Sequence, residues 1–197
     1  ISIQYPLVEA LTGFLFAFTY MNIIPVSPQE FVLTAIYIII ACLLVVITVY
    51  DIKHKIIPNE FVYGFIFLAF IQNFIASDSW FTLPSWQIVI AGPVLALPFL
   101  ILWLISKGEW MGFGDLKLML GIGWLLGINP GANAVVLAFW IAAIISISWQ
   151  LITKHSVKPK TEVPFGPYLI LGMYIVFFYQ IQVIDFNLAK EIIFSLF

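Results

Sequence analysis

Residues 31–50 read FVLTAIYIIIACLLVVITVY and contain no charged side chain. A helix needs about 20 apolar residues to cross the hydrocarbon core of a bilayer, so this segment is long enough to span a membrane. The whole chain has the same character, since 63% of its 197 residues are hydrophobic and only 9% are charged. Soluble domains usually carry about 25% charged residues, and an ordinary water-soluble fold is therefore excluded.

Other uncharged segments of similar length flank this one. The predicted spans are 7–24, 31–50, 60–76, 86–106, 115–128, 134–153 and 164–184. Asn129-Pro130-Gly131 predicts a loop between the fifth and sixth spans, because proline and glycine interrupt helices. The chain is thus predicted to be an all-α, polytopic membrane bundle of about seven transmembrane helices, with residues 1–197 forming a single membrane-embedded domain.

The lysines predict the orientation of these spans. Cytoplasmic loops collect positive charge, and successive loops lie on alternate sides of the membrane. The loops at 25–30, 77–85 and 129–133 contain no lysine. The lysines near spans two, four and six all fall on the other side: Lys53, Lys55, Lys107, Lys154, Lys158 and Lys160. This distribution predicts a cytoplasmic N-terminus.

Charge and cysteine content exclude several classes of function. The 10 acidic and 8 basic residues give a net charge of −2, so the basic face of a nucleic-acid-binding protein is missing. A single cysteine, Cys42, cannot form a cysteine-rich zinc site, and His54 and His155 have no metal-ligand spacing. The chain begins at Ile1 without a signal-peptide pattern, which predicts a fragment or a processed product.

Two acidic residues differ from the others in position. Asp51 ends the uncharged run 31–50, and Asp115 begins the predicted fifth span. Both lie on the predicted cytoplasmic side. Such a pair suits an aspartic peptidase, in which one carboxylate takes a proton from water while the other donates one to the peptide carbonyl. The structural alternative is a helix N-cap for Asp115 and an interfacial helix end for Asp51.

Glycines precede the second acid, at Gly112 and Gly114. Glycine permits sharp backbone turns and close approach of another backbone. We therefore predict a tight turn before Asp115 that leaves room for an extended peptide. Further along the chain, Gly121, Gly123 and Gly127 predict a small-residue face for close helix packing. Pro93 and Pro98 predict a kink in the fourth span.

The sequence around both aspartates resembles the type IV prepilin peptidases, which are membrane aspartyl proteases of the GxGD class. Residues 112–117 read GFGDLK and resemble the G-x-G-D-x-K motif. Asp51 followed by Pro58-Asn59 resembles the first aspartate motif of the family. YPLVE at 5–9, EWM at 109–111 and PFGP at 164–167 also look like family segments. The resemblance extends over essentially the whole chain.

The resemblance implies an aspartyl endopeptidase of the bacterial inner membrane, with its active site facing the cytoplasm. Its substrates would be prepilins or pseudopilins of type IV pilus or type II secretion systems, from which it removes a short basic leader. Asp51 and Asp115 would be the catalytic pair. The supporting residues implied by the motifs are Gly112, Gly114, Lys117, Pro58, Asn59, Pro164, Phe165, Gly166 and Pro167. The implied partners are this substrate and the lipid bilayer, with no nucleic acid.

No metal or organic cofactor is expected for the peptidase step. Bacterial relatives usually carry a cytoplasmic segment with two Cys-x-x-Cys pairs, associated with zinc and with methylation by S-adenosylmethionine. The single Cys42 cannot supply those ligands, and residues 5–9 resemble the sequence that follows that segment. We therefore expect S-adenosylmethionine and zinc only if the full protein contains this N-terminal segment.

Three questions stay open at this point. A small proton- or cation-coupled transporter would hold its acids near the bilayer midplane, whereas Asp51 and Asp115 lie at span ends. A non-catalytic membrane subunit of a pilus assembly is a second alternative. Lys117 is not expected to pair tightly with Asp115, because side chains two residues apart on a helix do not face each other. Its partner could be a substrate carbonyl, a lipid phosphate or Asp51.

Overall fold

The computed structural model describes residues 4–76, 86–153 and 164–183. Within these ranges the chain forms seven α-helices and no β-strand. The helices are α1 (Gln4–Asn22), α2 (Pro28–His54), α3 (Asn59–Ile75), α4 (Trp86–Ser106), α5 (Phe113–Leu126), α6 (Ile128–Thr153) and α7 (Gly166–Tyr179). Each corresponds to one predicted span, so the predicted all-α bundle is confirmed. The loop 77–85, His155 and the lysines Lys154, Lys158 and Lys160 lie outside the described residues.

Three helical segments are long and apolar enough to cross a membrane: α2, α4 and residues Ile128–Trp149 of α6. Two further helices, α3 and α7, are apolar but shorter. In lipid, a helix satisfies its own backbone hydrogen bonds, which is why uncharged runs of this length fold into helices. The chain is a helical membrane protein, as predicted.

The ends of α2 follow from local sequence. Ser27 caps its start, because the Ser27 hydroxyl accepts from the Glu30 N–H at 3.2 Å and the Glu30 carboxylate accepts from the Ser27 N–H at 3.1 Å. Lys55 ends the helix in the left-handed conformation, with φ 56°. The helix thus continues beyond the predicted end at residue 50, and Asp51 lies in its last turn.

The predicted loop at 129–133 is wrong. Gly127, with φ 85°, ends α5, and α6 begins at the next residue. Asn129-Pro130-Gly131 therefore lies in the first turn of α6. The N–H groups of a first turn have no acceptor within the helix, so the absence of an N–H in proline costs no hydrogen bond there. The break in the chain comes from the positive φ of a single glycine.

Helix α5 contacts α3, α4, α6 and α7 and so lies at the centre of the described bundle. Glycines allow this close packing. A Cβ on Gly123 would lie 2.7 Å from the Ala91 carbonyl oxygen of α4, and one on Gly121 would overlap the Phe65 ring of α3. Gly127 does not belong to this face, since no neighbouring atom lies within 4 Å of its Cβ position. That part of the predicted small-residue face is wrong, because Gly127 serves to end the helix.

Both prolines of α4 lie inside one continuous helix. Pro93 has no N–H, so the carbonyl of Val89, four residues earlier, loses its helical donor. The Trp124 indole N–H of α5 donates to this carbonyl at 2.9 Å. The interruption in α4 is therefore satisfied by the central helix, which fixes α4 against α5.

A second polar contact joins helices at the end of the bundle where α3 and α5 finish. The Tyr37 hydroxyl of α2 donates to the side-chain carbonyl of Gln72 at 2.9 Å. The Asn73 amide donates to the Trp124 backbone carbonyl at 2.9 Å. Buried polar groups in a membrane protein need such partners, and these hold α2, α3 and α5 together at this end.

Candidate active site

Asp51 lies in the last turn of α2 and is only 4% exposed. The C-terminal end of a helix carries partial negative charge, which disfavours a carboxylate there. The compensation comes from another helix, because the backbone N–H of Gly166, the first residue of α7, donates to the Asp51 carboxylate. The partial positive charge at the start of α7 thus faces this carboxylate.

Asp115 is the third residue of α5 and is 8% exposed. Its carboxylate accepts from the backbone N–H of Gly112, and its own N–H donates to the Gly112 carbonyl at 3.2 Å. The structural alternative, a helix N-cap, does not apply, because Gly112 occupies the cap position and Asp115 lies inside the first turn. A carboxylate there meets the positive end of its own helix.

The two carboxylates share one end of the bundle and interact electrostatically. The buried side chain of Ile57 contacts the start of α5, which carries Asp115, and the start of α7, which faces Asp51. A Cβ on Gly114 would lie 2.8 Å from Ile57 Cβ, and a Cβ on Gly166 would lie 3.3 Å from Ile57 Cδ1. The start of α5 and the start of α7 therefore both pack against one aliphatic side chain.

One oxygen at this site lacks a partner. Asp51 Oδ2 is buried, and the described part of the chain offers it no hydrogen bond. A buried carboxylate oxygen without a partner is unfavourable, so it favours a proton or a bound water. The arrangement is suited to the exchange of a proton between two carboxyl groups and a water molecule.

The glycines before Asp115 act differently from the prediction. Gly112 is extended, with φ −72° and ψ 146°, and Gly114 lies within α5 without a positive φ. Neither position needs the conformational freedom of glycine, so the predicted sharp glycine turn is wrong. Gly114 is required because Ile57 approaches too closely for a side chain, whereas a Cβ on Gly112 would come no nearer than 3.6 Å to Asp115 Oδ2.

Lys117 connects α5 to the start of α3. Its ammonium donates to Asn59 Oδ1 at 2.6 Å and lies 4.7 Å from the Tyr63 ring and 5.0 Å from the Phe113 ring. Pro58 is the N-cap residue of α3 and supplies the extended backbone before Asn59. The described contact of Lys117 is therefore with the asparagine of the Pro58-Asn59 segment and not with Asp51, one of the partners considered from sequence.

We expect the Lys117–Asn59 contact to contribute about 1 kcal/mol to the free energy of unfolding, since exposed hydrogen bonds to charged groups fall at the low end of their range. A double-mutant cycle with Asn59→Leu, Lys117→Met and the double variant measures it by thermal unfolding in lipid nanodiscs. Strict additivity of the two single effects would show that the contact contributes nothing.

The segment 164–167 positions the start of α7. Phe165 is the N-cap residue, and its ring lies 4.9 Å from Phe139 and 6.5 Å from Phe99, measured between centroids. Pro164 precedes the cap, and Pro167 lies in the first turn, where proline is favoured. Packing of Phe165 against α4 and α6 thus places Gly166 against Asp51.

Among the described residues, Ile57 contacts both helix starts at the site and was missed by sequence reasoning. It lies between Asp51 and Pro58, but an isoleucine beside a membrane span carries no signal of its own. In the described ranges, no group of three or more histidine, cysteine, aspartate or glutamate side chains is placed to hold a metal ion. The site consists of two carboxylates, two backbone N–H donors and an aliphatic wall.

Comparison with known proteins identifies a family for this chain. Residues 38–147, over half of the chain, match the type IV leader peptidase family and include both aspartates. Proteins named prepilin leader peptidase/N-methyltransferase are 28% identical in Xanthomonas campestris pv. campestris, Pectobacterium carotovorum subsp. carotovorum and Legionella pneumophila. The alignments cover 94%, 87% and 95% of this chain and 62%, 59% and 63% of those proteins, respectively.

The chain thus spans about three fifths of the length of these relatives. No solved structure matches it. The resemblance inferred from GFGDLK and the Asp51 segment is confirmed by the family match over residues 38–147: the chain belongs to the type IV leader peptidase family.

Proposed function

We propose that this chain is an aspartyl endopeptidase that removes the leader from prepilins or pseudopilins, with Asp51 and Asp115 as its catalytic pair. The observation that carries the proposal is the convergence of these two buried carboxylates at one end of the bundle. The names of the related proteins, prepilin leader peptidase/N-methyltransferase, support the substrate class. A transporter is disfavoured, because both acids lie at helix ends and not near the middle of a span.

In the proposed reaction, one carboxyl of the pair is ionised and the other is protonated. The ionised group takes a proton from water as the water oxygen bonds to the peptide carbonyl carbon, and the protonated group donates to the carbonyl oxygen. The tetrahedral intermediate then collapses as the C–N bond breaks and the leaving amine takes a proton. Asp51 Oδ2 has no hydrogen-bond partner among the described groups, so this oxygen is free to exchange a proton.

The backbone donors explain why these carboxylates are ready to react. Gly166 and Gly112 each supply one N–H, which orients a carboxylate without occupying both of its oxygens. The other motif residues position these elements. Gly114 and Gly166 leave room for the Ile57 side chain, and the Lys117–Asn59 hydrogen bond joins α5 to α3. Phe165 fixes the start of α7. The peptide at the cut must be extended, because the carbonyls of a helix are already hydrogen-bonded.

The proposed location is the cytoplasmic face of the bacterial inner membrane. Within the described bundle, Lys53, Lys55, Lys107 and Lys117 lie at the end that carries the carboxylates. Positive charge of this kind favours the cytoplasmic side. The names of the relatives also include N-methyltransferase. We assign zinc and S-adenosylmethionine to that methylation activity and not to the peptidase step.

The test is to incubate the chain, in lipid nanodiscs, with a prepilin that retains its leader, and to read the cut by mass spectrometry. We expect a single cut between the basic leader and the apolar segment. A full-length relative serves as the positive control. Intact substrate under conditions where the relative cuts it would overturn the proposed function.

A further inference from the structure

The short link between α2 and α3 directs one side chain into the bundle. Ile57 is only 9% exposed, although it belongs to neither helix. The residue before it, Ile56, is 63% exposed. Two isoleucines that follow each other in one link thus have opposite environments, and the buried one lies at the end of the bundle that carries the two carboxyl groups.

One atom of Ile57 is close to both helix starts at the site. Its δ-carbon lies 3.2 Å from the position that a Cβ would take on Gly114 and 3.3 Å from the corresponding position on Gly166. Gly114 immediately precedes Asp115 on α5. Gly166 donates its N–H to the Asp51 carboxylate. The terminal methyl group of Ile57 therefore packs against the two stretches of backbone on which the placement of the carboxyl groups depends.

The link is fixed on both sides of Ile57. Before it, the Lys55 N–H donates to the Asp51 carbonyl at 2.7 Å, and Lys55 turns the chain with a φ of 56°. After it, the Pro58 carbonyl accepts from the Val62 N–H at 3.2 Å in the first turn of α3. Isoleucine is branched at Cβ, which restricts its side-chain rotamers. The backbone and the side chain together therefore hold the terminal methyl group in one place.

We propose that Ile57 is a positioning residue for the catalytic pair: its terminal methyl group holds the starts of α5 and α7 in the arrangement that places both carboxyl groups at one peptide bond. This inference rests on the proposed function. An alkyl side chain exchanges no proton, so the effect of Ile57 on the reaction passes through Asp51 and Asp115. Displacement of a reacting group by about 1 Å reduces the rate about a hundredfold, and loss of this methyl group permits part of that displacement.

Ile57→Val tests the proposal, because it removes only the δ-carbon. The variant, in lipid nanodiscs, cuts a prepilin with the enzyme in excess, so that the single-turnover rate reports bond cleavage and not product release. We expect the saturated single-turnover rate to fall about tenfold, as a displacement of a fraction of an ångström predicts. The half-saturating enzyme concentration should stay within about twofold of the parent value, because a positioning residue does not contact the substrate.

Two other isoleucine-to-valine variants are matched controls. Ile56→Val makes the same change in the same link at an exposed position. Ile40→Val makes it at a buried position of α2, about three helical turns before Asp51. Both should cut at the parental rate. Ile40→Val loses a buried methyl group, as Ile57→Val does, and both should unfold at a lower temperature than the parent. Stability and cleavage are measured on the same preparations, below the unfolding temperature of every variant.

The two proposals fail in different ways. If the unmodified chain leaves the prepilin intact, the proposed function fails and this inference fails with it. If the unmodified chain cuts it but Ile57→Val and Ile40→Val cut at the same rate, the peptidase assignment stands and Ile57 only stabilises the fold. A higher half-saturating concentration in Ile57→Val, with an unchanged cleavage rate, would also overturn the inference, because it would indicate contact with the substrate.

Discussion

Replacing either Asp51 or Asp115 by asparagine is expected to abolish cleavage, with kcat/KM falling by about a thousandfold or more in each single variant. Asparagine keeps the shape of the side chain but cannot exchange a proton with water or with the peptide carbonyl. The double variant should be no worse than either single variant, because the two carboxyl groups act as one unit. Cleavage of a prepilin, quantified by mass spectrometry, measures all three.

Folding should survive these substitutions. The amide oxygen of asparagine can still accept from the Gly166 N–H at position 51 and from the Gly112 N–H at position 115. Glu60→Gln is the control, because Glu60 is an exposed acid in the first turn of α3 at the same end of the bundle. Its activity should remain unchanged. A folded Asp51→Asn or Asp115→Asn variant that cuts at a rate close to that of the parent would contradict the catalytic pair.

Gly166→Ala is expected to reduce cleavage about a hundredfold while the chain still folds, because misplacement of a reacting group by about 1 Å has an effect of this size. The added Cβ would lie 2.5 Å from Asp51 Oδ2, closer than real Cβ contacts allow. The carboxylate must therefore move away from the N–H that orients it. Turnover of the prepilin and thermal unfolding, measured on the same preparation, separate a displaced carboxylate from a damaged fold.

The control for this glycine is Gly13→Ala in α1. No neighbouring atom lies within 4 Å of that Cβ position, and alanine favours a helix over glycine by about 1 kcal/mol. This variant should cut normally and unfold at an equal or higher temperature. If Gly166→Ala also cut normally, the close contact between the start of α7 and Asp51 would have no part in the reaction.

Much of the fold was accessible from sequence because a bilayer leaves the backbone few choices. A run such as 31–50 must satisfy its own N–H and C=O groups, so it becomes a helix whatever its neighbours do. Helix ends were less accessible, because they depend on single dihedral angles. Lys55 and Gly127 each end a helix through a positive φ, and neither the extension of α2 past residue 50 nor the immediate start of α6 is visible in hydropathy.

The candidate site also contains some features that the sequence predicts and others that it does not. Asp51 and Asp115 stood out because both lie at span ends on the predicted cytoplasmic side and within segments that resemble family motifs. What surrounds them depends on contacts between residues far apart in the chain. The bond from Lys117 to Asn59 and the donation from Gly166 to Asp51 are of this kind, and no local pattern predicts them.

Ile57 connects parts of the bundle that lie far from it in the sequence. It belongs to the short link between α2 and α3, yet its side chain contacts the beginnings of α5 and α7. One hydrocarbon side chain therefore packs against both the helix that carries Asp115 and the helix that starts beside Asp51. Displacement of this linker would remove a packing contact from both helix starts at once, which couples the link between α2 and α3 to the surroundings of both aspartates.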